Sequence, residues 1–290
     1  MATSAAIVQG WAGRLHRLRL NLPLGIGLAV LVVMLLSALA APLLAPAAPT
    51  AVDLTAVRLP PSAAHWFGTD AVGRDVLSRV LYGGRVSLFV AGVGMIGSLT
   101  LGTVMGMLGA FGNRFVRTAV DRVIDVQLAF PYVLLAIAIT SAVRPSIPVL
   151  ILLMVLAAWA GAARIVRAIA LQESAKDYVK AADVLGASQL RIAMLHVFPS
   201  VLPSLLVLAA MQMAAMIVFE ATLSFLGMGV QPPTPSWGGI MLDGKNYITS
   251  SWWLTSLPGL AIVVTSLSLV LIGDGMQART DALRAREGDQ

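Results

Sequence analysis

The sequence contains no cysteine, which removes disulfides, thiolate nucleophiles and thiolate metal ligands together and leaves the redox compartment unreadable. Charge is also scarce: 12% of the residues are Asp, Glu, Lys or Arg, against about 25% in soluble domains. Histidine is scarcer still. His16, His65 and His196 fall in separate segments, and no Ser or carboxylate pair shares a helix face with one of them, so neither a nucleophilic triad nor a metal site emerges. Apolar residues fill the space, at 58% of the chain with a mean hydropathy of +0.86. A chain of 290 residues with this balance reads as an all-α polytopic membrane protein of about six spans, each roughly 20 residues long. That leaves no room for a water-soluble catalytic domain. The net charge of +6 does not indicate nucleic acid, because the basic residues are scattered between apolar runs instead of forming one patch.

The runs that read as membrane helices are Leu22 to Leu44, Val86 to Phe111, Val120 to Val143, Ile147 to Val166, Val201 to Met228 and Leu254 to Ile272. With six spans, both termini and the even-numbered loops share a side. That side receives Arg14, Arg17, Arg19, Arg114, Arg117, Arg122, Arg164, Arg167, Lys176, Lys180, Arg191, Arg279, Arg284 and Arg286, whereas Arg58, Arg74, Arg79, Arg85, Arg144 and Lys245 fall on the other. Positive charge marks the cytoplasmic face, so both termini and the Lys180 loop are expected there, in a bacterial inner membrane. The first run imitates a cleavable secretory signal. It continues past Ala38-Leu39-Ala40 to Leu43 and Leu44, however, beyond the roughly 7 to 15 apolar residues of a signal, and reads as an anchored helix. Before it, Trp11, Leu15 and Leu18 share one helix face, with Arg14 and Arg17 near the other, as in a segment lying on the inner membrane surface.

Between the fourth and fifth runs the chain turns polar, from Asp177-Tyr178-Val179-Lys180 to His196-Val197-Phe198-Pro199. Tyr178, Ala182 and Leu185 fall at i, i+4 and i+7, one face of a short helix, and Gly186 can adopt the left-handed geometry that ends one. A second face follows from Leu190, Ala193, Met194 and Val197. Two amphipathic helices tethered to membrane spans make a lever that a soluble partner can grip, and Ala181 and Ala182 let that partner approach the backbone closely.

The spacing Lys180-Ala181-Ala182, three residues, Gly186, nine residues, His196-Val197-Phe198-Pro199 resembles the loop that marks ABC-importer permeases, Glu-Ala-Ala, three residues, Gly, nine residues, Ile-x-Leu-Pro. Ala181, Ala182, Gly186 and Pro199 carry the match, while Lys180 inverts the charge at the first position. The block His65-Trp66-Phe67-Gly68-Thr69-Asp70-Ala71-Val72-Gly73-Arg74-Asp75-Val76-Leu77-Ser78-Arg79 resembles one branch of that family, the dipeptide, oligopeptide and nickel importers, and within it the "C"-type permease. Leu223 to Gly238, Trp252-Trp253, Pro258-Gly259 and Gly273-Asp274-Gly275 extend the resemblance over nearly the whole chain after His65. Met276 to Leu283 departs from the family's Arg-Asp-x-Leu-Asp-Pro stretch. Read from the residues alone, Asp70 or Asp75 is placed to cap the helix that includes Leu77, Val80 and Leu81.

The resemblance implies a type I ABC-importer permease fold that carries di- or oligopeptides, with a nickel or metal-chelate substrate as the alternative on the same fold. The implied organisation is a cytoplasmic amphipathic segment (1–21), a first transmembrane helix (22–44) and an external loop (45–85). A core of five transmembrane helices (86–275) follows, holding a coupling loop (173–199) and an external loop (229–253), and then a cytoplasmic tail (276–290). The implied partners are a "B"-type permease, two cytoplasmic ATPase subunits that carry the ATP and Mg²⁺, an extracytoplasmic substrate-binding protein and membrane lipid, with no nucleic acid. The residues implied to contact the ATPases are Tyr178, Lys180, Ala181, Ala182, Asp183, Leu185, Gly186, Ala187 and Pro199.

Inside the fifth run Gln212, Met216, Glu220 and Ser224 recur every four residues, a polar stripe that must face protein or water, since a carboxylate in lipid costs at least about 2.5 kcal/mol. Either it lines a translocation path or gate, with Met216 adapting to varied side chains, or Glu220 binds a neighbouring helix. Gly239 to Asn246 imitates a phosphate-binding loop but lacks the hydroxyl at Asn246 and a preceding strand, so no cofactor is expected on this chain and the ATPase is a separate polypeptide. Asp121, Arg122 and Asp125 suggest a local ion pair, and Pro131 a kink. An ion-driven secondary transporter is the rival from another class; it predicts paired intramembrane charges and inverted repeats, and Glu220 is the one deep acid.

Overall fold

The computed structural model describes residues 22–288, with side chains as far as residue 280. The Trp11–Leu20 segment, its arginines and the last two residues lie outside the described part. Among the described residues the fold is helical, with one isolated bridge, between Thr69 and Asp75.

Helix α1 (Leu22–Leu39) packs on the last helix through small residues, and mostly leaves its own face open. It ends at Ala40, and a short α2 (Ala41–Leu44) opens with Pro42. The first span is thus shorter than the 22–44 run. Helix α3 (Val76–Phe111) starts ahead of the expected boundary at 86, because Asp75 caps it by accepting from Ser78 N at 2.8 Å. The last part of the expected external loop 45–85, residues 76–85, is therefore helical.

The third run is not one straight helix. Its hydropathy hides a break: α4 (Arg114–Ala129) and α5 (Tyr132–Ala142) meet at 85° across Phe130-Pro131. Pro131 lacks the N–H that would continue the ladder and biases Phe130 toward extended backbone. Helix α6 (Ile147–Ser174) packs along α3 more extensively than any other pair. A Cβ on Gly102 or Gly106 would come within 2.7 Å of α6, at Ala162 or the Ala163 carbonyl. The small-xxx-small spacing therefore serves packing inside the subunit.

After α7 (Asp177–Val184), α8 (Gln189–Arg191) runs through a π-helical segment, Ile192–Val197, into α9 (Phe198–Phe225) without a stop. The second amphipathic arm is therefore the root of a membrane helix, where a separate helix and a span starting at Val201 are expected. Pro199 cannot donate back to Leu195, and the widened turn just before it, where Phe198 N–H bonds Ala193 O, takes up that loss. Helix α10 (Trp237–Gly244) folds back onto α9, α3 and α11 (Trp253–Gly288). Among the described residues five helices are long and apolar enough to cross a membrane, or six if the bent pair counts as one span.

The main core joins α3, α6, α9, α10 and α11 around Val90, Met154, Ile217, Leu223, Trp237 and Leu254. Trp237 is nearly fully buried; its ring nitrogen donates to Val80 O at 3.0 Å and its backbone N–H to Ser87 Oγ at 3.1 Å.

Candidate functional site

At one end of the bundle the hairpin between α6 and α9 is held by two devices. One is a helix terminator. Gly186 takes φ +83°, Ala187 N bonds Ala182 O at 3.0 Å and Gly186 N bonds Asp183 O at 2.9 Å, the paired bonds of a Schellman end. The other is Tyr178, whose hydroxyl lies 3.4 Å from Glu173 Oε2, 3.3 Å from His196 O and 3.4 Å from Ser200 Oγ. It thereby ties α7 to the end of α6 and the root of α9.

The packed face of α7 is not the Tyr178/Ala182/Leu185 face. Val179 is the residue that enters the core, with Ala182 half-buried and Ala187 packed behind it. Val184 and Leu185 are each 87% exposed, Leu190 74%. The face Leu190, Ala193, Met194, Val197 divides likewise: Ala193 and Val197 are buried, whereas Leu190 and Met194 border an open apolar groove of about 350 Å³ shared with Met107, Leu108 and Phe111 of α3. Lys180 and Ala181 are exposed, and Lys180 Nζ reaches Asp177 at 3.3 Å, so its inverted charge is partly answered within the same helix. Asp183 accepts from Gln189 Nε2 at 3.1 Å across the corner, and Pro199 is exposed.

Deeper in the bundle the stripe Gln212, Met216, Glu220 and Ser224 faces protein throughout; all four are buried. Gln212 donates to Ser98 Oγ of α3 at 2.7 Å. Glu220 is fully buried, and its Oε1 accepts from Ser224 Oγ at 2.7 Å. The hydroxyls of Ser87 on α3 and Ser236 at the start of α10 face the same carboxyl group. Each of these serines also accepts a backbone N–H: Ser87 from Trp237, Ser224 from Val230, Ser236 from Gly239. A hydroxyl has one proton to give; that of Ser224 goes to Glu220 Oε1, while the buried Oε2 has no hydrogen-bond partner among the described residues. The carboxyl thus gathers α3, α9, the loop after α9 and α10 at one point.

At the other end the His65–Arg79 block closes into an ionic knot. Asp70 receives Arg74 Nε at 2.6 Å and Arg79 Nη1 at 2.5 Å on one oxygen, and the backbone N–H groups of Val72 and Arg74 on the other. Both arginines also reach Asp243 of α10, at 3.0 and 2.8 Å. Asp75 divides its oxygens between the α3 cap and His65 Nδ1 at 3.1 Å. Thr69 bonds Ala56 O and Leu59 N. Gly73, at φ +80°, lies so close to Asp53 that a Cβ would fall 1.7 Å from its carbonyl oxygen. Sequence reasoning missed Asp243, which sits inside the imitation phosphate loop; that segment is a helix carrying one half of the knot. Alternating sign at Asp70, Arg74, Asp75 and Arg79 is the signal that could have pointed to an external acid.

The acids of α4 pair across helices, correcting the expectation of a local bond to Arg122. Asp121 meets Arg167, and Asp125 meets Arg164 at 2.9 Å. Asp121 and Asp125 at i, i+4 face Arg164 and Arg167 at i, i+3, two rungs between α4 and α6. Among the described residues no His, Asp and Glu group is arranged to hold a metal.

Two family models match the sequence of this helical bundle. Residues 98–285 match the inner membrane component of binding-protein-dependent transport systems. The chain belongs to this family. Residues 11–61 match the N-terminal transmembrane domain of oligopeptide transport permease C. A Brucella abortus protein assigned as a peptide transport system permease is 42% identical over 263 residues, 91% of this chain and 88% of that one. The di/tripeptide transport system permease DppC of Pseudomonas aeruginosa is 35% identical over 261 residues, 88% of this chain and 86% of its own. Among solved structures, the methionine ABC transporter MetNI in inward-facing conformations shares the fold at TM-score 0.57 and 17% identity, over 68% of this chain and 93% of that one. The chain is thus a multi-pass permease of the inner-membrane type, from a family whose members work with other permease, ATPase and substrate-binding subunits.

Proposed function

We propose that this permease forms, with a second "B"-type permease, the path by which di- and oligopeptides enter the cytoplasm, and that its hairpin is where ATP-driven motion arrives. Two cytoplasmic ATPase subunits hold the ATP and Mg²⁺; this chain supplies neither nucleotide site nor catalysis. Both termini lie on the cytoplasmic side, as the distribution of arginine suggests. An extracytoplasmic binding protein delivers the substrate from the opposite face. Relatives named for peptide transport over nearly the full chain support the substrate class.

The observation that carries the coupling reading is the hairpin corner. Val184, Leu185 and Leu190 are apolar and open to solvent, between two membrane helices and on a rigidly capped turn. An apolar tip left this open among the described residues is suited to a groove in another protein. When the ATPases close, α7 moves with them. Tyr178 then relays the displacement to the ends of α6 and α9, and the stripe on α9 carries it to the outer end at Glu220.

The absence of cysteine allows a clean test. Leu185→Cys introduces a unique thiol for cross-linking in the assembled transporter. A cross-link to the ATPase subunit whose yield changes with ATP is the expected result. A thiol labelled only from the outside of intact cells would overturn both the orientation and the coupling role.

A further inference from the structure

The external loops carry more cations than their acids can answer. Asp70, Asp75 and Asp243 are occupied by Arg74, Arg79 and His65, and exposed Asp53 is turned toward Thr55. Among the described residues Arg58, Arg85, Arg144 and Lys245 remain exposed without a carboxylate partner. Arg58 and Lys245 are linked through Tyr247: the Arg58 guanidinium stands 4.9 Å from the ring centre of Tyr247, the last residue of the short 3₁₀ turn that Lys245 opens.

Arg58 is also the one described non-glycine residue with positive φ, at 51°. An L-residue with a long side chain meets a steric cost there that glycine would avoid. The conformation is fixed from both sides: Arg58 N donates to Asp70 O at 3.0 Å, and Leu59 N to Thr69 Oγ1 at 2.8 Å. The knot therefore presents this guanidinium outward on a rigid base. Beside it, Trp253 Nε1 donates to Thr69 O and Trp252 packs edge-on against Trp253. Trp66 is 69% exposed, Ile248 59% and Trp252 53%. Exposed Trp and Arg around a half-buried Tyr is the composition of protein interface hot spots.

We infer that this ledge, centred on Arg58 over Tyr247 and flanked by Lys245 and Trp66, docks the extracytoplasmic binding protein through an acidic rim on that partner. The inference rests on the import reading above. The family's dependence on a binding protein supplies an external partner, and the unanswered positive charge specifies its chemistry. A lipid surface is the weaker occupant. Trp252, at the start of α11, suits the membrane boundary, but Arg58 is held stacked on a ring by a strained turn, unlike a cation on a free stem that snorkels to headgroups.

The test uses the complete transporter in nanodiscs of zwitterionic lipid and its cognate binding protein loaded with a dipeptide. The association rate of wild type should fall as salt is raised. Arg58→Gly, which suits the backbone and removes only the side chain, and Lys245→Glu should each slow association on the order of tenfold and flatten the salt dependence. Arg85→Glu, a cation facing a different part of the outer surface, should not. If wild type binds no binding protein at all, the import reading itself fails. If wild type binds and both ledge variants keep its rate and salt slope, the inference fails while import stands. It also fails if Arg58→Gly and Lys245→Glu lose the second permease on purification, or if their defect appears only in anionic vesicles, since the ledge would then be a subunit or lipid contact.

Discussion

Arg79, in the first turn of α3, donates to Asp243 at the end of α10 across 2.8 Å, although 164 positions separate them. Arg79 and Asp70 are buried, while Asp243 remains 35% exposed. The two acids are therefore unequal. Removing one partner of a buried pair costs about 3–5 kcal/mol because the other charge is stranded. Asp70→Asn should accordingly lower the thermal midpoint strongly, whereas Asp243→Asn, whose place water can take, should cost about 1–2 kcal/mol. The second variant should also open the 226–252 loop to protease. Wild-type protease resistance of that loop in Asp243→Asn would show that the knot does not hold α10.

Gly186 and Gly73 share a left-handed backbone but differ in surroundings. No atom lies within 4 Å of a Cβ at Gly186, so substitution there acts through backbone strain alone. Gly186→Asn, which tolerates this conformation, should keep ATP hydrolysis coupled to uptake. Gly186→Val should leave the assembled complex hydrolysing ATP with import largely lost. At Gly73, even alanine meets the Asp53 carbonyl, and Gly73→Ala should reduce the yield of folded protein. Normal ATP-to-peptide stoichiometry in Gly186→Val would count against the hairpin as the point of coupling.

Glu220 is buried where α3, α9 and α10 meet, with the Ser224 hydroxyl on one of its two oxygens. Glu220→Gln keeps the shape but replaces an acceptor oxygen with a donor, so assembly should persist while initial uptake rates fall several-fold. Glu220→Ala leaves a cavity and stranded hydroxyls, worth roughly 2–4 kcal/mol, and should lower the thermal midpoint as well. Substrate affinity of the binding protein should be the same in both backgrounds. Wild-type uptake by Glu220→Gln would remove the carboxyl from the transport cycle.

Asp53 offers a pH signature in the external loop. The Thr55 hydroxyl, followed by its backbone N–H, holds the Asp53 carboxyl below its ordinary value of 3.8. A depressed folded-state value means that the contribution is present above the unfolded value and lost as pH falls through the lower folded one. Amide exchange at Thr55 and Ala56 should therefore quicken on acidification below pH 3.8, and Thr55→Val should abolish that dependence. Exchange that is flat through this range in wild type would refute the contact.

Much of this fold could be read from hydropathy and spacing, because each signal is local. Asp75 caps α3, Gly186 ends α7, and the four-residue stripe on α9 faces protein. The rest depends on distant chain. Nothing near Asp243 distinguishes a residue of a failed phosphate loop from the partner of two arginines far upstream. Arg164 and Arg167 look like ordinary positive-inside residues until α6 is laid beside α4. Tyr178 and Val179 are adjacent, and the helical period alone does not decide which enters the core when the tip is built to expose apolar side chains. The start of α9 is hidden for another reason: polar residues in the hairpin mask a helix that is already continuous.

The close approach of α3 and α6 limits how such a molecule can change shape. Where a methyl group at Gly102 or Gly106 would already collide with the opposing backbone, neither helix can slide past the other without wedging a larger side chain into a slot made for hydrogen. The pair therefore travels as one beam, and flexing is left to the joints around it, the Phe130-Pro131 elbow and the widened coil before Pro199. A covalent staple between α3 and α6 should be silent in transport, while one that fixes α5 to α6 should stop it.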